Sequence, residues 1–167
     1  MFNDQFDLTH SVLIKNKTMT RRKSATYKVG ETVAIAQCYD QIWNLLTDEQ
    51  VEEVTYMNMK SIYNGKHRHI GCTNKMYVKA EFMPHHILIT GRRLQYLQDI
   101  TDEEIMKEGC NKDLAEDTDL YWFDGATEGR FYATPREAFI VFINKLMGKG
   151  TWEKNPRVWA YEFELVD

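Results

Sequence analysis

The chain has 167 residues, of which 43% are hydrophobic and 28% are charged, and these values are typical of a globular protein with its own core. No apolar run approaches the roughly 20 residues that a membrane span requires, which excludes a membrane-spanning role. Met1–Thr9 lacks the apolar stretch of a secretory signal, and the three cysteines are widely spaced. We therefore expect a cytoplasmic protein with reduced thiols.

The net charge of −4 is an average over segments of opposite sign. Lys15–Lys23 holds five basic residues and no acid, whereas Asp102–Asp124 holds nine acids and two basic residues. Uneven charge of this kind indicates either solvated surfaces or one face that attracts an anion and another that repels it.

The predicted elements mix helices and strands without a regular βαβ order. The first half of the chain begins with a helix over Asp7–Ile14, a loop or extended segment over 15–22 and a strand over Thr32–Gln37, followed by a helix from a capping box at Thr47. Strands are predicted next over Met76–Ala80 and His86–Leu97, and then a helix that runs from a capping box at Thr101 to Gly109. The last elements are an acidic loop over Asn111–Arg130, a helix capped by Thr134 and a strand over Val158–Val166. This order predicts an α+β fold with a small, mainly antiparallel sheet or barrel. Alternation in the last strand places Trp159, Tyr161 and Phe163 in the core.

The basic segment between Lys15 and Lys23 is the first candidate site. Its arginines suit phosphate oxygens, its threonines can donate to the same oxygens, and clustered cations can lower the pKa of Lys17. A lysine that loses its proton can act as a base or a nucleophile. The alternative is an exposed basic loop without a ligand.

Two further clusters of side chains have chemical potential. His67, His69, Cys72 and His85–His86 have metal-ligating side chains, but their spacing matches no closed four-ligand pattern, so we expect neither a metal nor a cofactor. Glu104 and Glu108 lie one helical turn apart and can serve as acid or base, or orient Lys17 across a cleft. The alternative is that these acids cap a helix start in water, although the charge of Glu108 opposes the helix dipole.

Lys15–Arg22 resembles the G-x-K-T-x-T-x-R signature of ASCH domains, a branch of the PUA-like superfamily, with Lys15 where the family has glycine. The later segments Val29–Val33, Met76–Lys79, Leu94–Thr101 and Gly150–Trp159 follow the same order, as in the long ASCH proteins of bacteriophages and prophages. The resemblance implies one ASCH domain over residues 1–167, with insertions at about 38–74 and 111–131. It also implies a PUA-like, partly open β-barrel with flanking helices.

For function, the resemblance implies binding of RNA or of a modified nucleoside or nucleotide in a basic cleft. The residues that would hold such a ligand are Lys15, Lys17, Thr18, Arg21, Arg22, Lys79 and Arg93, with Arg92 as an extension. Some small ASCH proteins are amidohydrolases that deacylate N4-acetylcytidine, and their catalytic residues correspond to Lys17, Thr20 and Glu108. Other ASCH proteins are ribonucleases. A further alternative is a phage protein that binds a host protein through the insertions.

Overall fold

A computed structural model describes residues 2, 4–63, 70–115 and 118–167 of the chain. The helices are α1 (Leu8–Leu13), α2 (Tyr39–Ile42), α3 (Asp48–Tyr63), α4 (Asp102–Lys107), α5 (Pro135–Met147) and α6 (Thr151–Lys154). The strands are β1 (Met19–Arg22), β2 (Thr32–Ala34), β3 (His86–Tyr96), β4 (Asn111–Ala115), β5 (Thr118–Trp122) and β6 (Arg157–Leu165). Within the described ranges, no helix combines the length and apolarity needed to cross a membrane.

Four strands form an antiparallel sheet in the order β1-β6-β3-β2, and β4 pairs with β5 in a separate hairpin. In the β1–β6 ladder Met19 lies opposite Glu162 and Arg22 lies opposite Trp159. The predicted α+β class is therefore confirmed. The strands that the structure describes do not close into a barrel, and the PUA-like assignment stays a prediction.

The described chain divides into two compact units. The first comprises Val33–Ile87 with Phe2 and Val166–Asp167, and its core is built from Tyr39, Ile42, Val54, Phe82 and Met83. It contains most of the first predicted insertion. The basic loop predicted over Asn64–His69 lies outside the described residues.

The second unit comprises residues 4–32 with Leu88–Leu165 and holds β1, β6 and most of β3. Its core includes an aromatic cluster in which Phe123 and Phe142 stack with their centroids 4.2 Å apart, and Phe139 packs beside both. Phe139, Phe142 and Ile143 are buried, as the periodicity of α5 predicts.

The three predicted helix starts are confirmed. At α3 the backbone N–H of Gln50 donates to the Thr47 hydroxyl, and at α4 the N–H of Glu104 donates to Thr101. At α5 the N–H of Glu137 donates to Thr134, and Pro135 occupies the first turn. Each cap satisfies a donor that the helix start leaves open, which is why local sequence suffices to find it.

Two predicted elements are wrong. Met76–Ala80 is not a strand but holds parts of two short 3-10 turns, and the Lys79 N–H donates to the Tyr39 hydroxyl instead of to a strand partner. Asn111–Arg130 is not all loop, because β4 and β5 pair within it. Lys112 and Asp119 bridge these strands at 2.9 Å, so the charges that suggested a loop help to pair them.

The last strand is confirmed, with one correction to its packing. Tyr161 and Phe163 are buried as predicted, but Trp159 is only half-buried. Val158 and Ala160, which alternate with these residues and so lie on the opposite face of β6, are buried as well.

Gly109 follows α4 with a φ of 95°, and a Cβ placed there would lie 3.3 Å from the Cβ of Lys17. We expect Gly109→Ala to lower the free energy of unfolding by about 1–3 kcal/mol, because it adds backbone strain and a tight contact. Gly129→Ala is the matched control, since Gly129 has a φ of 74° and no atom within 4 Å of its added Cβ. Urea denaturation of both variants separates the cost of backbone strain from the cost of the tight contact. An equal loss of unfolding free energy in the two variants would mean that the contact with Lys17 adds no cost.

Candidate functional site

The basic segment is attached to the end of α4 at the start of β1. The backbone N–H of Lys17 donates to the Ser11 carbonyl at 2.9 Å, and that of Thr18 donates to the Lys107 carbonyl at 2.8 Å. Lys17 and Glu108 also form an isolated antiparallel bridge. The local backbone therefore places the Lys17 side chain against the residue that the sequence analysis paired with it.

Lys15 has a φ of 62°, in the left-handed region. A side chain there is strained by about 1–2 kcal/mol, and glycine is not. The ASCH signature that this segment resembles has glycine at this position. Lys15 itself is exposed.

A buried ion pair between Lys17 and Glu108 forms the centre of the site. Lys17 Nζ donates to Glu108 Oε2 at 2.6 Å and to the Glu108 backbone carbonyl at 2.7 Å. Lys17 is 1% exposed and Glu108 is 2% exposed. The pair predicted from the sequence therefore forms, and the neighbouring side chains cover it.

Arg21 extends this pair into an ionic network within the second unit. Its Nη1 donates to Glu108 Oε1 at 2.7 Å and its Nη2 to Glu104 Oε2 at 2.6 Å. Arg93 contacts the other oxygen of Glu104 and donates to Glu162 Oε1 at 2.8 Å. Three cations thus face three carboxylates, and Glu108 is neutralised at the helix end where its charge alone would be unfavourable.

Burial lowers the pKa of Lys17 below its ordinary value. The Glu108 carboxylate opposes the shift by stabilising the ammonium, and the nearby guanidinium groups of Arg22 and Arg21 add to the lowering. The sequence analysis expected clustered cations to lower the pKa of Lys17, but the removal of Lys17 from water is the larger cause.

Thr20 does not belong to this network. Residues directly opposite each other in a ladder share a face, so Arg21 lies with Ala160 on one face of the sheet and Thr20 lies with Tyr161 on the other. The face that carries Arg21, Arg93 and Glu162 is called the ionic face here. The three predicted catalytic residues are therefore split, with Lys17 and Glu108 in contact and Thr20 across the sheet.

The predicted phosphate-binding residues fall into three groups. Lys17, Arg21 and Arg93 are held by carboxylates of the ionic network. Lys79 belongs to the first unit, where its ammonium contacts the carboxylates of Glu53 and Glu81. The remaining residues reach the surface: Lys15 and Arg92 are exposed, and Thr18 and Arg22 are half-buried. Lys23, the last basic residue of the segment, is exposed as well.

Glu162 completes the network and was missed by the sequence analysis. The alternation of the last strand only places Glu162 on the face opposite Trp159, Tyr161 and Phe163. An acid flanked by buried positions in a central strand is the signal that could have indicated an ion pair, since β6 has neighbours on both sides.

Among the described residues, no group of three or more His, Cys, Asp or Glu side chains is arranged to hold a metal ion. His67 and His69 lie outside the described residues. The chain matches no protein-family model, no curated protein and no solved structure. The ASCH resemblance stays a prediction that rests on its motifs.

Replacing Glu108 with glutamine keeps its shape but leaves Lys17 and Arg21 without their buried countercharge. We expect Glu108→Gln to lower the free energy of unfolding by about 3–5 kcal/mol. Glu103→Gln on the same helix is the control, because Glu103 is 79% exposed in its pair with Lys107 and should lose less than about 0.5 kcal/mol. Urea denaturation checks both values, and equal losses would show that the buried pair adds no stability.

Proposed function

We propose that the protein binds RNA or a nucleotide, with the phosphates held at the surface beside the Lys15–Lys23 segment. The observation that carries the proposal is the separation of this segment into inward and outward cations. The inward pair, Lys17 and Arg21, is held by carboxylates, whereas Lys15 and Lys23 are exposed on the same stretch of chain. Exposed cations attract phosphate at little cost, since they need not leave a buried partner.

Under this proposal the inward cations position the segment and do not touch the ligand. Lys17 and Arg21 fix β1 against the end of α4, so the backbone on either side of them is held in place. A rigid backbone lowers the entropy that ordering of Lys15 and Lys23 costs on binding. The sequence analysis expected all the basic residues to hold the ligand in one cleft. The proposal assigns ligand binding only to the basic residues at the surface.

The proposal predicts strongly salt-dependent binding of a fluorescently labelled single-stranded RNA. Each phosphate contact contributes a slope of about −0.7 to the dependence of log K on log salt concentration. We expect the double variant Lys15→Gln/Lys23→Gln to make this slope shallower by about 1.4, because two phosphate contacts are lost. The measurement is fluorescence anisotropy from low to moderate salt.

Lys60→Gln is the control, because Lys60 is exposed on α3 in the first unit and should not change the slope. Two outcomes would count against the proposal. One is an affinity that does not respond to salt, and the other is an equal loss in the control variant.

A second candidate function is deacylation of an acylated nucleoside, favoured by the short contact between Lys17 Nζ and Glu108 Oε2. A lysine with a lowered pKa beside a carboxylate suits proton transfer or nucleophilic attack. Turnover would require the covered pair to open, because Lys17 is 1% exposed. The ribonuclease and host-protein alternatives stay predictions.

This second candidate is tested with N4-acetylcytidine and other acylated nucleosides. We expect Lys17→Met to lower turnover by at least about 100-fold if Lys17 acts as base or nucleophile. Thr20→Val should leave turnover nearly unchanged, because Thr20 lies on the other face of the sheet. Circular dichroism establishes that each variant is folded, and a wild-type protein that is inert on the whole panel would remove this candidate.

A further inference from the structure

Trp159 lies on β6 between two arginines of the neighbouring strands. Arg22 of β1 is directly opposite Trp159 in the ladder, so the two side chains share a face. From β3, the guanidinium of Arg92 lies over the indole ring, 4.6 Å from its centroid. We call this side of the sheet, with Thr20, Arg22, Arg92, Arg157 and Trp159, the tryptophan face.

The tryptophan face and the ionic face differ in charge. Alternation assigns three arginines and no acidic residue to the tryptophan face across β1, β6 and residues 88–96 of β3. On the ionic face, Arg21 and Arg93 are matched by Glu162 and by carboxylates of α4. Asp99, beyond the end of β3, accepts a hydrogen bond from the backbone of Tyr96. Within these strand segments the acidic side chains therefore lie on the ionic face, and the charged residues of the tryptophan face are all arginines.

The same face exposes planar groups. Arg92 and Arg157 are exposed, Tyr96 is 52% exposed, and Trp159 is half-buried. The guanidinium of Arg92 is also fixed, because its Nη1 donates to the Tyr27 carbonyl at 3.0 Å. A fixed guanidinium with an indole beneath it and solvent above it is a surface on which a flat ring can stack.

We propose that the tryptophan face binds a base of single-stranded RNA, which stacks on the guanidinium of Arg92 above Trp159. This inference rests on the proposed function, and it specifies that the tryptophan face recognises a base of the RNA. Single-stranded RNA presents unstacked bases and phosphates together, and aromatic rings and arginine planes on a sheet suit both. A duplex keeps its bases stacked inside and offers this face only phosphates.

The test compares a labelled oligomer of ten uridines with an abasic RNA of the same length, which has the same charge and no bases. We expect wild-type protein to bind the uridine oligomer about tenfold more tightly, the effect of one stacked base. Arg92→Lys keeps the charge and removes the planar group, so it should lose this preference and retain its affinity for the abasic RNA.

Arg136→Lys is the matched control, because the Arg136 guanidinium lies 5.9 Å from the centroid of Trp152 elsewhere in the second unit. This variant should retain the full preference. A second variant, Trp159→Phe, should lose the quenching of intrinsic fluorescence that uridine binding produces in the wild type, since Trp159 is the tryptophan that lies under the guanidinium on which the base stacks.

The outcomes separate the inference from the proposed function. If the wild type binds neither RNA, the proposed function fails and the inference fails with it. Equal binding of the two RNAs, or a preference that survives Arg92→Lys, overturns the inference and leaves phosphate binding intact. Equally tight binding of a deoxythymidine oligomer would overturn the assignment to RNA.

Discussion

The buried contact between Lys17 and Glu108 is the constraint on which the second unit depends. Two charges removed from water are unfavourable unless their hydrogen-bonding groups are satisfied, and here Lys17 donates to two oxygens of Glu108 while Arg21 occupies the other. The arrangement also fixes register, because a slip of β1 by one residue would carry Arg21 to the opposite face. The network thus specifies which side chains of the basic segment reach the surface.

Local signals in the sequence identified the helix starts and the pair at the centre of the site. Hydroxyl caps at Thr47, Thr101 and Thr134 act within one turn, so three or four residues contain all the information. Glu108 was recognisable because its charge is unfavourable at a helix end, which implies a compensating cation elsewhere. A motif resemblance and an electrostatic argument therefore led to the same two residues, Lys17 and Glu108.

The remaining contacts of the site and the β4–β5 hairpin could not be predicted, because they depend on partners that local sequence does not identify. Arg21 and Glu108 are 87 positions apart, and only the strand order shows that Arg93 and Glu162 lie beside them. The β4–β5 hairpin was missed because its charges pair across strands, a relation that composition cannot reveal. The side of the sheet on which Thr20 lies follows from the β1–β6 register, which no local pattern contains.

The two faces of the sheet carry separate sets of side chains on alternate residues of the same strands. A substitution at Arg92 or Trp159 leaves the carboxylates that hold Arg21 untouched, and a substitution at Glu162 leaves the tryptophan face in place. Mutations can therefore accumulate on one side without a matching change on the other. In evolutionary terms, a lineage built on this sheet can change the chemistry of one surface while its framework stays constant.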